Sequence, residues 1–474
     1  VIVSAKIQRR VERVIENHPF VTIKANHGVM VAITPEKLIQ YESSMKRVIP
    51  FFVLLVLIIL SMTPCYAVNV SFKGGPRIKS DEGNFEIGLN GRAHLDVHSF
   101  YPDQADPNYP PFGSQLLSSN DRDGFNWRRT YATLTGKIYS LNFKFENDFA
   151  VNANSAFPHS LREAWLSTKL GPGQITLGQF KPYRGMEELT SSNEITLMER
   201  PSTSSTGIYS GRQFLTGIGY KAMIRDNMGF GIDVMSLSHF GLPIEGITYG
   251  GRMVWLPLDK EGNILHLGFS LSRDTASKDS LPAKIVDIYG GREGISQSLG
   301  MAGTSPGAPK SNSQSTFSAE AAYAFKALTL QGEYAISHLD NTHQVNGNTK
   351  DSTIHAFYIQ ASWFVTGENA VYKKDRGTFG KPKPIRKLGA LELAARYDLA
   401  ENVNQSLGAD PCKTGTSKCQ VQVITLGINW YPYQNIRFML NYYLTEANIG
   451  HTGSETLTRK DNPSVLSFRT QLSF

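Results

Sequence analysis

The chain has 474 residues, 41% of them hydrophobic and 19% charged, with a formal net charge of +7. That length holds roughly two to four ordinary domains or one large β structure. Residues 1–67 carry 8 Lys or Arg and 4 Asp or Glu, which leaves 40 basic and 37 acidic residues in the remainder, a formal +3; no global basicity argues for a nucleic-acid partner, and any work done by charge must come from local arrangement.

In chain order, the only long apolar run is VIPFFVLLVLIIL, residues 48–60, preceded by Lys46 and Arg47 and followed by SMTPCYA. It is shorter than the ~20 residues a spanning helix needs, and it suits the apolar part of a secretory signal. Ala67, with Cys65 two residues before it, gives an A-x-A-like cleavage site, so residues 45–67 read as a signal peptide and the mature chain as starting at Val68. A signal of this kind begins naturally at Met45. Residues 1–44 therefore read as an upstream extension from a miscalled start, the alternative being a cytoplasmic segment before an uncleaved anchor.

Beyond the leader no segment shows a long helical period, whereas two-residue alternation recurs. Strands are predicted at 85–97, 125–139, 141–150, 162–170, 173–180, 214–221, 228–238 and 246–256. Eight more follow at 263–273, 315–326, 328–337, 353–366, 388–399, 421–430, 435–445 and 464–474, giving about sixteen in all. The connections sort by parity. Odd ones, such as 98–124, 181–213, 274–314, 338–352 and 400–420, are mostly long and polar; even ones, at Ser140, Gly171-Pro172, 257–262, Ala327 and 431–434, are tight. One even connection, 367–387, is long and rich in Lys and Pro. Short turns at one end and long loops at the other are what an outer-membrane barrel shows, and a soluble sandwich has no reason to sort its loops this way. The expected fold is an all-β transmembrane antiparallel barrel over residues 68–474.

The strand faces say where water sits. In 141–149 Leu141, Phe143, Phe145 and Phe149 alternate with Asn142, Lys144, Glu146 and Asp148. A basic side chain facing lipid at the midplane costs ~2–4 kcal/mol, so the polar face lines a lumen. By the same parity Glu86, Asn90, Arg92, His94 and Asp96 point inward, Arg92 lying either on an ion path or in a structural pair with Asp96 or Glu86. Arg128 and Arg129 are neighbours, and neighbours on a regular strand face opposite sides. Arg129 is then the inward residue, and Arg128 joins it only through a bulge or at the barrel mouth. The final strand alternates Leu466, Phe468, Leu472 and Phe474 against Ser467, Arg469, Gln471 and Ser473, as an outer-membrane insertion signal does. Trp430, Tyr431, Tyr433, Tyr442 and Tyr443 lie at strand ends, where interfacial aromatic girdles form.

Cys412 and Cys419, close together in DPCKTGTSKCQ, read as a disulfide in an exported protein. Chemistry at a catalytic site has little support: His94, His239, His266, His338 and His355 are scattered singly, no H-E-x-x-H or P-loop pattern occurs, and the one G-x-S-x-G match, GTSPG at 303–307, falls in a predicted connection rather than at a strand-to-helix turn.

The run GQFKPYRGMEELTSSNEITLMER, with NGRAHLDV and FNWRRTYATLTGKIY before it and LGALELAARYD and ITLGINWYPY after it, resembles the phosphate-selective porin O and P family. The resemblance implies a sixteen-stranded trimeric barrel whose inward-folded loops and rows of arginine and lysine bind anions. It implies that the connection after the fifth strand, with Lys181, Arg184, Glu187, Glu188, Glu194, Glu199, Arg200 and Arg212, folds inward as a constriction loop, and that Arg92, Arg128 and Arg129 sit where such porins place constriction arginines. The chain departs from the family at Arg162, where an acidic residue stands before Glu-Ala, and at Glu188, where a lysine stands. Its fifth outer loop is thin in basic residues, offering Lys278, Lys284 and Arg292 among its 41 residues. The expected function is a passive porin for small anions or small solutes in the bacterial outer membrane, with lipid and solute as partners and neither cofactor nor metal. The alternatives are a surface adhesin or a plugged structural barrel.

Overall fold

The computed structural model describes residues 21–24, 30–33, 68–72, 74–101, 123–150, 160–205, 208, 214–238, 245–276, 286–289, 295–298, 313–345, 348–403, 420–449 and 459–474. Cys412, Cys419, Lys284, Arg292 and the leader at 45–67 lie outside them. The chain divides into two units, Val1–Val68 and Asn69–Phe474. Within the first, Val21–Lys24 pairs antiparallel with Met30–Ile33.

The second unit is a closed antiparallel barrel. Its sixteen wall strands are β1 (Phe85–Tyr101), β2 (Gly124–Ile138), β3 (Leu141–Asp148), β4 (Ser160–Leu170), β5 (Gly173–Phe180), β6 (Leu215–Arg225), β7 (Met228–Ser236) and β8 (Gly246–Lys260), then β9 (Asn263–Ala276), β10 (Ser313–Phe325), β11 (Leu328–Val345), β12 (Asn348–Phe364), β13 (Ala390–Asn402), β14 (Gln420–Tyr433), β15 (Ile436–Ile449) and β16 (Ser464–Ser473). Each pairs with its sequence neighbour, and β16 pairs with β1 from Ser464↔Tyr101 to Ser473↔Arg92. The seam is completed by the C-terminal residue: Gly91 N–H donates to the Phe474 carbonyl at 3.0 Å and Phe474 N–H to the Gly91 carbonyl at 3.1 Å. A Cβ at Gly91 would come within 2.5 Å of the Phe474 ring, so a larger residue there would have to displace the ring from the seam.

Burial is inverted relative to a soluble protein. On β16 Ser467, Arg469, Gln471 and Ser473 are buried, while Leu466, Phe468 and Leu472 are exposed. The same holds on β3, where Glu146 and Asp148 are buried and Leu141 and Phe145 exposed. Exposed apolar faces suit lipid, and stacked rows such as Trp430–Phe438–Phe468, with ring centroids 5.4 and 6.3 Å apart, cover the outside. Two aromatics assigned to the girdle belong elsewhere: Tyr431 and Tyr443 are buried inside, because they share parity with the inward Asn429 and Asn441 rather than with Trp430 and Leu444.

The strands run farther than their hydrophobic patterns. The predicted polar connection at 338–352 is largely a continuation of β11 and β12, paired as far as Val345↔Asn348 after an irregularity between Leu339 and His343. Apolar alternation stops where the hairpin leaves lipid, but backbone pairing does not depend on it. Likewise, β8 and β14 continue through irregularities at Trp255/Leu258 and Trp430/Tyr433, into residues expected to be turns.

Candidate functional site

The segment after β5 turns inward and is held to the barrel wall from many sides. It contains two short helices, α1 (Met186–Leu189) and α2 (Ser202–Ser205). Arg184 makes a two-pronged pair with Asp233 of β7 at 2.7 and 2.8 Å, and Gly185 N–H donates to Ser270 of β9 at 3.1 Å. The Glu187 N–H donates to Glu333 of β11 at 2.6 Å. Farther along, wall arginines donate to loop carbonyls: Arg437 to Ile195 at 2.7 Å, Arg469 to Met198 at 2.6 Å and Arg396 to Glu199 at 3.0 Å. Ser202 N–H reaches Asp398 at 2.7 Å, and Thr316 donates to the Ile208 carbonyl at 3.0 Å. A loop has many unpaired backbone groups, and burying them in a lumen requires such partners. The wall also leaves room: a Cβ at Gly427 would come within 2.5 Å of Leu197, and one at Gly231 within 2.7 Å of Tyr183.

A second segment enters from the opposite end. The long even connection between β12 and β13 carries the short pair Val371–Lys373 and Thr378–Gly380. Arg252 donates to the carbonyls of Arg376 and Gly377 at 2.8 and 2.7 Å, and Tyr372 bonds His266, itself 3.0 Å from Glu320. Lys373 pairs with Glu194, so the two inward segments meet.

What remains accessible beside them is a ribbon on the wall from β1 to β5. Arg92 lies over the Tyr131 ring at 4.7 Å, Arg162 lies between Tyr131 and Phe214 at 5.7 and 5.5 Å, and Lys181 faces Phe214 at 5.4 Å. Each cation has a carboxylate: Arg92 with Glu146 (3.0 Å), Lys144 with Glu163 (2.6 Å), Arg162 with Asp148 (3.4 Å) and Lys181 with Glu188 (2.6 Å). The cation is generally the more exposed partner, with side-chain exposures of 16% against 2% for Arg92–Glu146, 18% against 0% for Arg162–Asp148 and 20% against 8% for Lys181–Glu188. In these three pairs the positive head is the partner nearer the water, whereas Lys144 and Glu163 are exposed alike. Burial, then the nearby Arg200, pulls the Lys181 ammonium down to about 7 against the support of Glu188.

The arginine pair is resolved by a bulge. His94 pairs with Arg129 and Leu95 with Trp127, so Arg128 is the extra residue and both arginines point inward. Arg128 closes on Glu199 through two bonds of 2.8 Å. Burial alone would raise the Glu199 carboxyl, but Arg128, followed by Arg469 and Arg129, holds it well below the ordinary carboxylate range. Arg129 is more deeply buried, with its Nη1 unpartnered. Both residues thus face inward, Arg128 through the bulge it needed, and of the two Arg128 is the one that meets a loop carboxylate while Arg129 lies deeper.

Other placements differ from the sequence reading in a consistent way. Arg92 pairs with Glu146 of β3 rather than with Asp96 or Glu86; Asp96 belongs to Arg469 at 2.6 Å. Arg184 and Glu187 are buried anchors turned away from the ribbon. The sequence reading missed Arg252, Arg396, Arg437 and Arg469, wall residues that hold the inward segments; only inward parity signalled them. Lys284 and Arg292 lie outside the described residues.

Residues 89–474 match the family described as phosphate-selective porin O and P. The chain belongs to that family. Porin O of Pseudomonas aeruginosa is 24% identical over 395 residues, covering 79% of this chain and 86% of the relative. The anion-selective porin of Comamonas acidovorans superposes with a TM-score of 0.50 at 12% identity, covering 82% of this chain and 100% of that one. The outer-membrane channel DcaP of Acinetobacter baumannii gives 0.51 at 10% identity, covering 84% and 99%. This porin is therefore a protein of the bacterial outer membrane, and its family and fold point to a channel rather than an enzyme.

Proposed function

We propose that this porin is a water-filled channel for the passive diffusion of small solutes, with a preference for small anions. The observation that carries the reading is the ribbon of Arg92, Lys144, Arg162 and Lys181, three of whose cations are more exposed than the carboxylates behind them. A permeating ion feels the nearer charge more strongly. The compensation by Glu146, Glu163, Asp148 and Glu188 keeps that attraction weak enough for release, which conduction requires. The phosphate selectivity in the family's name, and the anion selectivity of the Comamonas porin that shares the fold, support the same preference. On this reading phosphate is one permeant anion among several, because Arg162 and Lys181 each arrive with a carboxylate. A homotrimer is the assembly proposed, as for the family.

The test is planar-bilayer recording of the purified barrel in chloride, with inorganic phosphate added. The expected result is steady chloride conductance that phosphate reduces only weakly. Tight block by phosphate would refute the weak-attraction reading. Contact between the two inward segments through Lys373 and Glu194 favours a second reading, a plugged barrel. That reading requires no conductance in the native protein and its appearance in Lys373→Glu.

A further inference from the structure

On the outside of the barrel, near the long-loop end, β8 to β11 form an open groove of about 500 Å³. Its floor is apolar, formed by Leu271, Phe317 and Ile336, which are cross-strand partners in one row. The row above it is polar: Tyr249, Arg273, Ser315, His338 and Thr353 pair successively across β8 to β12. Small Ser315 between Arg273 and His338 opens the notch. The outward rows below the groove, down to Leu328↔Trp363, span ten positions of β11, about 33 Å along the strand and about 25 Å along the membrane normal at ordinary barrel tilt. The polar row therefore lies at the upper edge of the lipid band, where headgroups begin, and the floor lies among acyl chains.

The rim carries a second feature. His338 Nε2 lies 3.6 Å from Asp340 Oδ1 and 3.4 Å from Asp351 Oδ2, and the three ligand atoms fall within 4.8 Å of one another. Two of the three, Asp340 and His338, are held from behind. Arg273 holds the other oxygen of Asp340 at 3.1 Å and Ser315 at 2.5 Å, and Thr353 holds His338 Nδ1 at 3.1 Å. Held Nδ1 and an Nε2 aimed at two carboxylates are the arrangement by which outer partners orient metal ligands. One imidazole nitrogen and two carboxylate oxygens suit a divalent cation that accepts both donor types and leaves positions open. With Arg273 positive and both aspartates ionised, the rim carries net −1 with neutral His338; a divalent cation makes it +1. The change turns a rim that repels lipid phosphate into one that attracts it.

We propose that this groove is a lipid site: it seats a phosphate-bearing lipid of the outer leaflet, whose phosphate is bridged to the barrel by a divalent cation on His338, Asp340 and Asp351. The wall here faces the membrane, so lipid is the occupant at hand, and Leu271, Phe317 and Ile336 contact its first methylenes. The inference rests on the barrel's place in the outer membrane and not on conduction.

The test uses the purified full barrel in nanodiscs of phosphatidylcholine, with or without phosphatidic acid, titrated with Mn²⁺ and followed by the electron-paramagnetic signal of the free ion. A single saturable Mn²⁺ site is expected, at least about tenfold tighter when phosphatidic acid is present, and His338→Gln/Asp351→Asn is expected to weaken binding at least about tenfold and abolish the lipid dependence. Heat-dependent gel mobility checks that the variant is folded, and a second variant, Asp351→Asn alone, serves if the first does not fold. Unchanged Mn²⁺ binding in a folded variant overturns the cation site. Equal affinity with and without phosphatidic acid overturns the lipid bridge.

Discussion

Lys181 shows how much a single residue's setting decides. Its ammonium bonds both the carboxylate and the backbone carbonyl of Glu188 at 2.6 Å, yet burial and Arg200 leave it titrating at about 7. A group with a lowered basic pKa is charged below that value and neutral above it, so the path loses a positive charge as pH rises. The anion preference of the conductance should fall between about pH 6 and pH 8, and Lys181→Arg should remove that dependence; a flat profile in the native protein would exclude the role. Arg184 makes the opposite case. It and Asp233 are both buried and bonded twice, and breaking such a pair leaves an uncompensated charge costing about 3–5 kcal/mol. Arg184→Ala should lower the denaturant midpoint accordingly, and Asp233→Asn added to it should recover part of the loss; additive losses would contradict the pairing. Inward orientation was legible from strand parity at Arg92, whereas for Lys181 and Arg184, which lie in the connection after β5, it was only what the family resemblance implied. Exposure was legible in neither case, since only the packing tells a water-facing cation from a buried anchor.

The inward loop shows why elements resist reading from sequence. Its length and position between β5 and β6 were plain, as was the mixture of charges in it. Its partners were not, because each is a wall residue remote in sequence: Arg396, Arg437 and Arg469 donate to its carbonyls, and Gly427 admits Leu197. Gly427→Leu should lift the loop from this seat, costing about 1–3 kcal/mol by overpacking and raising single-channel conductance. Unchanged conductance with the expected loss of stability would mean that the loop does not narrow the path. The Lys- and Pro-rich connection on the short-turn side stood out by length alone. Its placement inside follows from Tyr372 reaching His266 and from Arg252 bonding two of its carbonyls, contacts that no local pattern announces.

For the molecule as a whole, the barrel was almost fully legible because lipid imposes alternation on every wall strand. Strand ends were the exception, since the β11–β12 hairpin continues into water where hydrophobicity no longer marks it. The seam carries reciprocal backbone bonds between Phe474 and Gly91. Deleting Phe474, or making Gly91→Val, should reduce the yield of folded, heat-modifiable barrel in membranes; normal yield from both would remove the seam from the account. The balance of charge is a property of the same scale: most of the described interior arginines, Arg129 excepted, pair with carboxylates, and the proposed bias toward anions comes from which partner faces water. The direct measurement is the zero-current potential of the purified barrel in a planar bilayer under a potassium chloride gradient. The account predicts a potential of the sign for chloride preference, reduced or reversed in Arg162→Glu/Lys181→Glu. A potential of the cation sign in the native protein, or no conductance at all, would contradict it.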